Sequence, residues 1–249
     1  MSDGEFFIKH TKLPEQAAAE AAGLAWLADA TPEARDVVVE VVEVSGTTLK
    51  EARVHTVAPD PEAACAFGKI LRGIHEAGAE AFGAPPAHWN GKNFIGRVEQ
   101  ECTPSDSWVD FYVHQRVLPF SRRAQLAPEY ADVVEQACSI MLGCRDNPVF
   151  DIPPARIHGD LWSGNVLFSA GGVVMIDPAA HGGHPHTDLA MLELFGTPHL
   201  PDIMAGYGDP DVDFALHQLH PLAVHAMTHG RGYHRPLAEA AQAVIARYG

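Results

Sequence analysis

A chain of 249 residues with 47% hydrophobic and 20% charged side chains can bury one large core or two small ones, which excludes general disorder. Its 17 basic and 32 acidic residues leave a formal charge of −15, and this excludes a phosphate-backbone binder, which needs Lys and Arg gathered on one face. No apolar run reaches the roughly 18–20 residues that cross a bilayer, Met1-Ser2-Asp3-Gly4-Glu5 lacks the basic-then-apolar order of a signal peptide, and the four cysteines are widely spaced with no C-x-x-C. Reduced thiols and a cytoplasmic location are expected, with no membrane and no nucleic-acid partner.

Glu5 to His10 reads as a short strand after the Asp3-Gly4 turn signal. Pro14 suits a first helical turn, and Ala17, Ala21, Leu24, Leu27 and Ala28 repeat at helical spacing. The β-branched run Val37 to Val44 predicts a strand. Asp60-Pro61-Glu62 is an N-cap followed by proline, opening a helix that buries Phe67, Ile70, Leu71 and Ile74 and ends before Gly78. An irregular stretch covers 83–107. Helices are expected at about 107–117 and 128–144, strands at 156–158, 165–168 and 173–176, and helices near 187–195, 211–229 and 236–247. The pattern predicts an α+β, two-lobed protein, with a small β-rich lobe over residues 1–45 and a larger, mostly helical lobe over 46–249.

The chemistry is concentrated in His158-Gly159-Asp160-Leu161-Trp162-Ser163-Gly164-Asn165 and in Ile176-Asp177-Pro178. Ser169-Ala170-Gly171-Gly172 is a turn between apolar runs, hence a β-hairpin, and folding it about Gly171 sets Asn165 opposite Asp177. Opposed antiparallel residues have Cβ atoms about 4.5–5.5 Å apart, and a slip of one residue would not separate them widely. One hard cation could then take the Asn165 amide oxygen and the Asp177 carboxylate; such oxygen ligands, with few carboxylates, suit Mg²⁺. Asp160, in the loop entering the hairpin, is free to accept a proton from a substrate hydroxyl. This order of groups is that of kinase-like phosphotransferases, which use ATP and Mg²⁺. Lys9, ending the first strand, would then pair with ATP phosphates, and Glu20 in the next helix would hold it. The backbone of the Val37–Glu43 strand would meet the adenine edge around Glu40 and Val42.

Ile176-Asp177-Pro178-Ala179-Ala180-His181-Gly182-Gly183-His184, with Asp188-Leu189-Ala190-Met191 and Leu194-Phe195-Gly196 after it, resembles the fructosamine kinase (ketosamine-3-kinase) family of the protein-kinase-like fold. Phe94-Ile95-Gly96-Arg97, Trp108 to Tyr112, Gln115-Arg116-Val117 and the segment Phe214 to Tyr233 extend the resemblance along the chain. It implies phosphorylation of the 3-hydroxyl of a fructosamine or ribulosamine-type ketoamine on a small-molecule or glycated-amine carrier, the reaction associated with protein deglycation. It also implies Asp160 as base, Asn165 and Asp177 as magnesium ligands, Lys9 and Glu20 at the phosphates, Trp162 at the substrate pocket, and Asp188 as support for the catalytic loop.

The chain departs from the family in three places. The family has two strands and a phosphate-covering loop ahead of the lysine strand, whereas this chain starts at the Asp3-Gly4 turn, so a truncated small lobe is expected. Pro185-His186-Thr187 stands where the family carries an acidic residue, and Gly196 is followed by Thr197-Pro198. Two alternatives follow, a phosphotransferase for an aminoglycoside or amino alcohol and a weakly active nucleotide binder. The oligomeric state is not set by the sequence.

The chain holds 15 histidines. His225 and His229 have i, i+4 spacing but no accompanying H-E-x-x-H, so packing and surface roles are expected for the helix that carries them. His181 and His184, just beyond Asp177, are candidates for the substrate cleft.

Overall fold

A computed structural model describes residues 5–249; the Asp3-Gly4 turn lies outside them. Strand β1 (Phe6–His10) leads into helix α1 (Pro14–Ala28), which starts at a proline and buries Ala17, Leu24 and Leu27. A single helical turn, α2 (Ala34–Val37), follows, and then come β2 (Val41–Ser45) and β3 (Thr48–Ala52). The three strands form an antiparallel sheet in the order β1-β3-β2, with Lys9 opposite Leu49 and Phe7 opposite Glu51. The sheet thus runs beyond the expected division at residue 45, because β3 is the strand that joins its two neighbours.

The continuous strand expected over Val37–Val44 is broken. Val37 closes α2, the Val39 amide donates to the Met175 carbonyl, and the Glu40 carbonyl accepts from the Ala52 amide. These bonds spend the Val39 and Glu40 groups on packing. The crossing into the rest of the chain comes after β3: the Arg53 amide donates to the Glu5 carbonyl, and the Val57 amide donates to Phe168 at 2.8 Å.

Helix α3 (Pro61–Glu76) is capped by the Asp60 carboxylate, which accepts from the Ala63 amide at 2.8 Å. The irregular stretch contains a small hairpin, β4 (Asn93–Ile95) and β5 (Val98–Gln100), followed by α4 (Trp108–Phe111), a π-helical turn (Tyr112–Val117) and α5 (Leu118–Arg123). Arg116 in the π turn is buried, and among the described residues it has no carboxylate partner. Its guanidinium donates to the Glu101 carbonyl at 2.6 Å and lies over the Phe111 ring. It therefore pins the irregular stretch to the core, and burial pushes its pKa down.

The chain continues through α6 (Pro128–Gly143), β6 (Ala155–Ile157), the hairpin β7 (Val166–Ser169) and β8 (Gly172–Met175), and β9 (His181–Gly183), which pairs with β6. Helices α7 (Pro185–Leu194), α8 (Leu200–Tyr207), α9 (Phe214–His229) and α10 (His234–Tyr248) complete it. Pro221 lies inside α9, where it has no N–H for the carbonyl four residues earlier. The buried Tyr112 hydroxyl supplies the missing donor, reaching the His217 carbonyl at 3.0 Å.

One apolar cluster gathers Trp108, Phe120, Met141, Leu219 and Leu237 among the helices. A second joins Leu24 and Leu27 of α1 to Phe67 and Leu71 of α3, Met175 of the hairpin and Leu189 of α7. This second core fixes the sheet and its helix over the hairpin. Its burial is what brings Lys9 and Glu20 to the loop residues.

Candidate active site

The hairpin register differs by one residue from folding about Gly171. Val166 pairs with Met175, and the Ile176 amide donates to the Asn165 carbonyl, so Asp177 lies one position beyond the residue opposite Asn165. The two side chains still converge. Asn165 Nδ2 donates to the Asp160 carbonyl at 2.8 Å and also approaches Asp160 Oδ2 at 3.4 Å and the Asp177 carbonyl at 3.5 Å. With its nitrogen occupied on protein carbonyls, the amide turns its oxygen away from them as an acceptor. Asp177 holds φ +56°, a left-handed conformation for a residue that precedes proline, and it stands at the turn where β8 ends.

Asp160 follows His158 and Gly159 in a loop whose backbone is held from both sides. Asp188 of α7 accepts from the His158 amide at 2.7 Å and from the Gly159 amide at 2.9 Å. His75 of α3 in turn lies 3.1 Å from Asp188 through Nε2 and 2.8 Å from the Tyr207 hydroxyl through Nδ1. Burial alone would raise the Asp188 carboxyl, but His75 and the loop amides outweigh it and hold the group below its ordinary value. The His158 ring lies 2.9 Å from the Ile176 carbonyl through Nε2, and its Nδ1 accepts from the Asp160 amide at 3.2 Å. His158 is fully buried and its pKa is pushed down by burial, so it braces the loop as a neutral ring. Gly159 has φ +80°, and a Cβ there would collide with the Ala179 carbonyl, so only glycine fits.

From the sheet side, Lys9 Nζ contacts Glu20 Oε1 at 2.8 Å and Oε2 at 2.7 Å, and Asp177 Oδ1 at 3.0 Å. The two carboxylates outweigh the burial of the ammonium and raise its pKa, which keeps it charged. A third carboxylate is present that the sequence did not mark. Glu51 of β3 is 3% exposed, its Oε1 has no hydrogen-bond partner among the described residues, and oxygens of Glu20, Glu51 and Asp177 lie within 4.8 Å of one another. Burial, followed by the charges of Glu20 and Asp177, raises the Glu51 carboxyl to about 7. A glutamate in a strand of mixed polarity carries no signal of this, because its neighbours come from α1 and from the far hairpin.

A cleft of about 370 Å³ has Lys9, Glu20, Asp160, Trp162, Asn165 and Asp177 in its walls. His10, Lys12 and Arg97 also line it. Their presence in the site was invisible in sequence, since exposed histidine, lysine and arginine side chains are common. Trp162 is 38% exposed, and its ring meets Phe195 edge-on with centroids 6.1 Å apart. Burial, then the Asp177 and Asp188 charges, raise the Asp160 carboxyl to about 7.

Four of the proposed site residues are not in this cleft. Glu40 lines a separate hollow with Val38, Val39 and Val41, and Val42 is 43% exposed on β2. Both miss because the crossing segment follows β3 rather than β2. His181 is buried, with Nδ1 2.8 Å from the Ala179 carbonyl and Nε2 3.4 Å from the Arg116 guanidinium; burial and that cation push it down to about 3. His184 caps α7, its Nδ1 accepting from the His186 amide at 3.1 Å, and its ring packs on Trp108.

The fold and the converging Lys, Asp, Asn and Asp side chains define a protein of the kinase-like class. The same fold occurs in a choline kinase from Streptococcus pneumoniae, with TM-score 0.62 at 15% identity, over 100% of this chain and 89% of that one. A Thermobifida fusca structure described as a fructosamine-3-kinase candidate is far more similar, with TM-score 0.86 and 39% identity over 98% of this chain and 87% of its own. A Synechocystis sp. protein described as a probable ketoamine kinase is 40% identical over 136 residues, 52% of this chain and 42% of that protein. The fructosamine kinase family model matches residues 2–210, and the chain belongs to the fructosamine kinase family. It spans less than half the length of the first curated relatives it matches.

Proposed function

We propose that the chain is an ATP-dependent kinase that phosphorylates the 3-hydroxyl of a fructosamine or ribulosamine-type ketoamine. The convergence of Asp160, Asn165 and Asp177 from one hairpin with Lys9 from the sheet carries this reading, and the family membership names the substrate class. Asp160 takes the proton of the attacking hydroxyl. The oxygen then bonds to the γ-phosphorus, and the bond to the β–γ bridging oxygen breaks, releasing ADP. Lys9, positioned by Glu20, meets the phosphates of ATP, with Lys12 and Arg97 at the same cleft adding positive charge. Trp162 borders the sugar.

The donor set fits magnesium: an amide oxygen on Asn165, turned away from its own protein contacts, and the Asp177 carboxylate, two hard oxygens beside the phosphate position. Bound there, Mg²⁺ would neutralise phosphate charge and orient the γ-phosphoryl group.

We further place the small lobe over the three-stranded sheet and α1, with the remainder as the larger lobe. A cytoplasmic location fits the free Cys65, Cys102, Cys138 and Cys144, and among the described residues no helix is long and apolar enough to cross a membrane. The deciding experiment is a Mg²⁺-ATP assay on fructosyl-lysine and ribulosyl-lysine beside an aminoglycoside and choline. Turnover of the ketoamines that is lost in Asp160→Asn supports the reading. Preference for the other acceptors, or nucleotide binding without turnover, overturns it.

A further inference from the structure

A second constellation lies apart from the cleft. His184 immediately before α7, His186 in its first turn and His217 in α9 each offer a ring nitrogen, and these atoms lie within 4.8 Å of one another. The ring centroids are 4.2 Å apart for His184 and His217, 4.8 Å for His184 and His186, and 5.6 Å for His186 and His217. Trp108 backs the group, 5.0 Å from His184 and 5.2 Å from His217. His184 and His217 are buried and His186 is half-buried. All three line a cavity of about 480 Å³ that shares no lining residue with the Lys9 cleft.

We propose that His184, His186 and His217 form a zinc-class metal site whose remaining coordination position faces this cavity. Three imidazoles are a donor set for a borderline divalent ion, and three protein ligands with one open position is the arrangement zinc adopts when it keeps an exchangeable ligand. With Zn–N bonds of about 2.0–2.1 Å, tetrahedral geometry sets the nitrogens roughly 3.3 Å apart, so the trio must draw in around the ion from a spread of up to 4.8 Å. His217 Nδ1 lies 3.3 Å from the Thr187 hydroxyl, the outer partner a ligating imidazole needs on its second nitrogen. His184 now spends Nδ1 on the His186 amide, so ligation turns that ring over and releases the cap. The helix N-terminus opposes a cation, and the cavity supplies the compensating charge. Asp211 lines the same cavity, so a carboxylate is present in the space that the open position faces.

The test uses the 249-residue chain, stripped with a chelator and titrated with Zn²⁺ against a chromophoric competitor, then with Co²⁺ to read tetrahedral absorption. One equivalent of zinc is expected, with a metal-dependent rise in melting temperature. Affinity should fall at least roughly 10-fold in His186→Gln and further in His217→Asn. His186→Gln alters a half-buried rim residue, so its metal-free melting temperature should match the parent while the zinc-induced rise disappears. His225→Ala with His229→Ala, which removes the stacked pair at 5.0 Å in α9, should leave binding intact. Absence of a stoichiometric site, equal affinity in the parent and His186→Gln, or loss only in the His225/His229 variant overturns the proposal.

Discussion

Lys9 Nζ stands 3.0 Å from Asp177 Oδ1 across 168 positions of sequence, while the same ammonium holds both oxygens of Glu20. One side chain therefore ties the strand, the helix behind it and the end of the β7–β8 hairpin into a single charged unit. The contact makes the sheet and the hairpin two walls of one cleft.

With Asp160 as the proposed base, Asp160→Asn is expected to keep ATP binding and to lower kcat on fructosyl-lysine by about 10²–10⁴. Steady-state kinetics give the loss, and thermal stabilisation by ATP with Mg²⁺ verifies that the nucleotide site survives. A variant that turns over like the parent would falsify the role of Asp160.

Burial raises the Asp160 carboxyl to about 7, with the Asp177 and Asp188 charges adding to it. The base form is the carboxylate. kcat/KM is therefore expected to climb as pH rises through about 7 and to level off above it. A pH–rate profile in the absence of bound product checks this; an activity that is flat from pH 5 to 9 would exclude Asp160 as the titrating base.

Asp188 accepts two loop amides and pairs with His75 in the interior, at 1% and 2% side-chain exposure. Removing one partner of a buried pair costs about 3–5 kcal/mol. For Asp188→Ala this corresponds to a fall in Tm of roughly 6–20 °C. Calorimetry reads the shift, and a change below a few degrees would show that the loop holds itself.

Glu51 has a folded pKa near 7, raised by burial above the ordinary 4.5 of a glutamate. The folded state binds its proton more tightly than the unfolded state, so its contribution to stability declines as pH rises from about 4.5 to 7 and stays unfavourable above. Glu51→Gln is therefore expected to stabilise the protein at pH 8 by about 1–2 kcal/mol and to change little at pH 4.5. Chemical denaturation at the two pH values measures it, and equal effects at both would refute the assignment.

Much of the geometry of the Asn165–Asp177 hairpin was legible because its determinants are local. Asp160 and Asn165 are five residues apart, and the turn at Ala170-Gly171 limits which residues Asp177 can face; a one-residue change in register left Asn165 and Asp177 converging. Glu40 and Val42 were misplaced because a β-branched run shows a strand without showing which strand it pairs with. Only the sheet order β1-β3-β2 puts the crossing after Ala52. His181 and His184 were misplaced for a related reason: nearness to Asp177 in sequence does not tell which way β9 turns its side chains.

By itself the sequence determined the chemical inventory, the helix starts at Pro14, Asp60 and Pro128, and a hairpin carrying an aspartate on either side of an asparagine. These depend on backbone restrictions and hydrogen bonds spanning a few residues. Tertiary structure alone decided that Lys9 meets Asp177, that Glu51 is buried beside them with one oxygen unpartnered among the described residues, that His75 holds Asp188, and that three histidines bring ring nitrogens within 4.8 Å of one another. Those relationships come from the burial of two apolar cores, a non-directional force summed over the whole chain, which no single segment specifies.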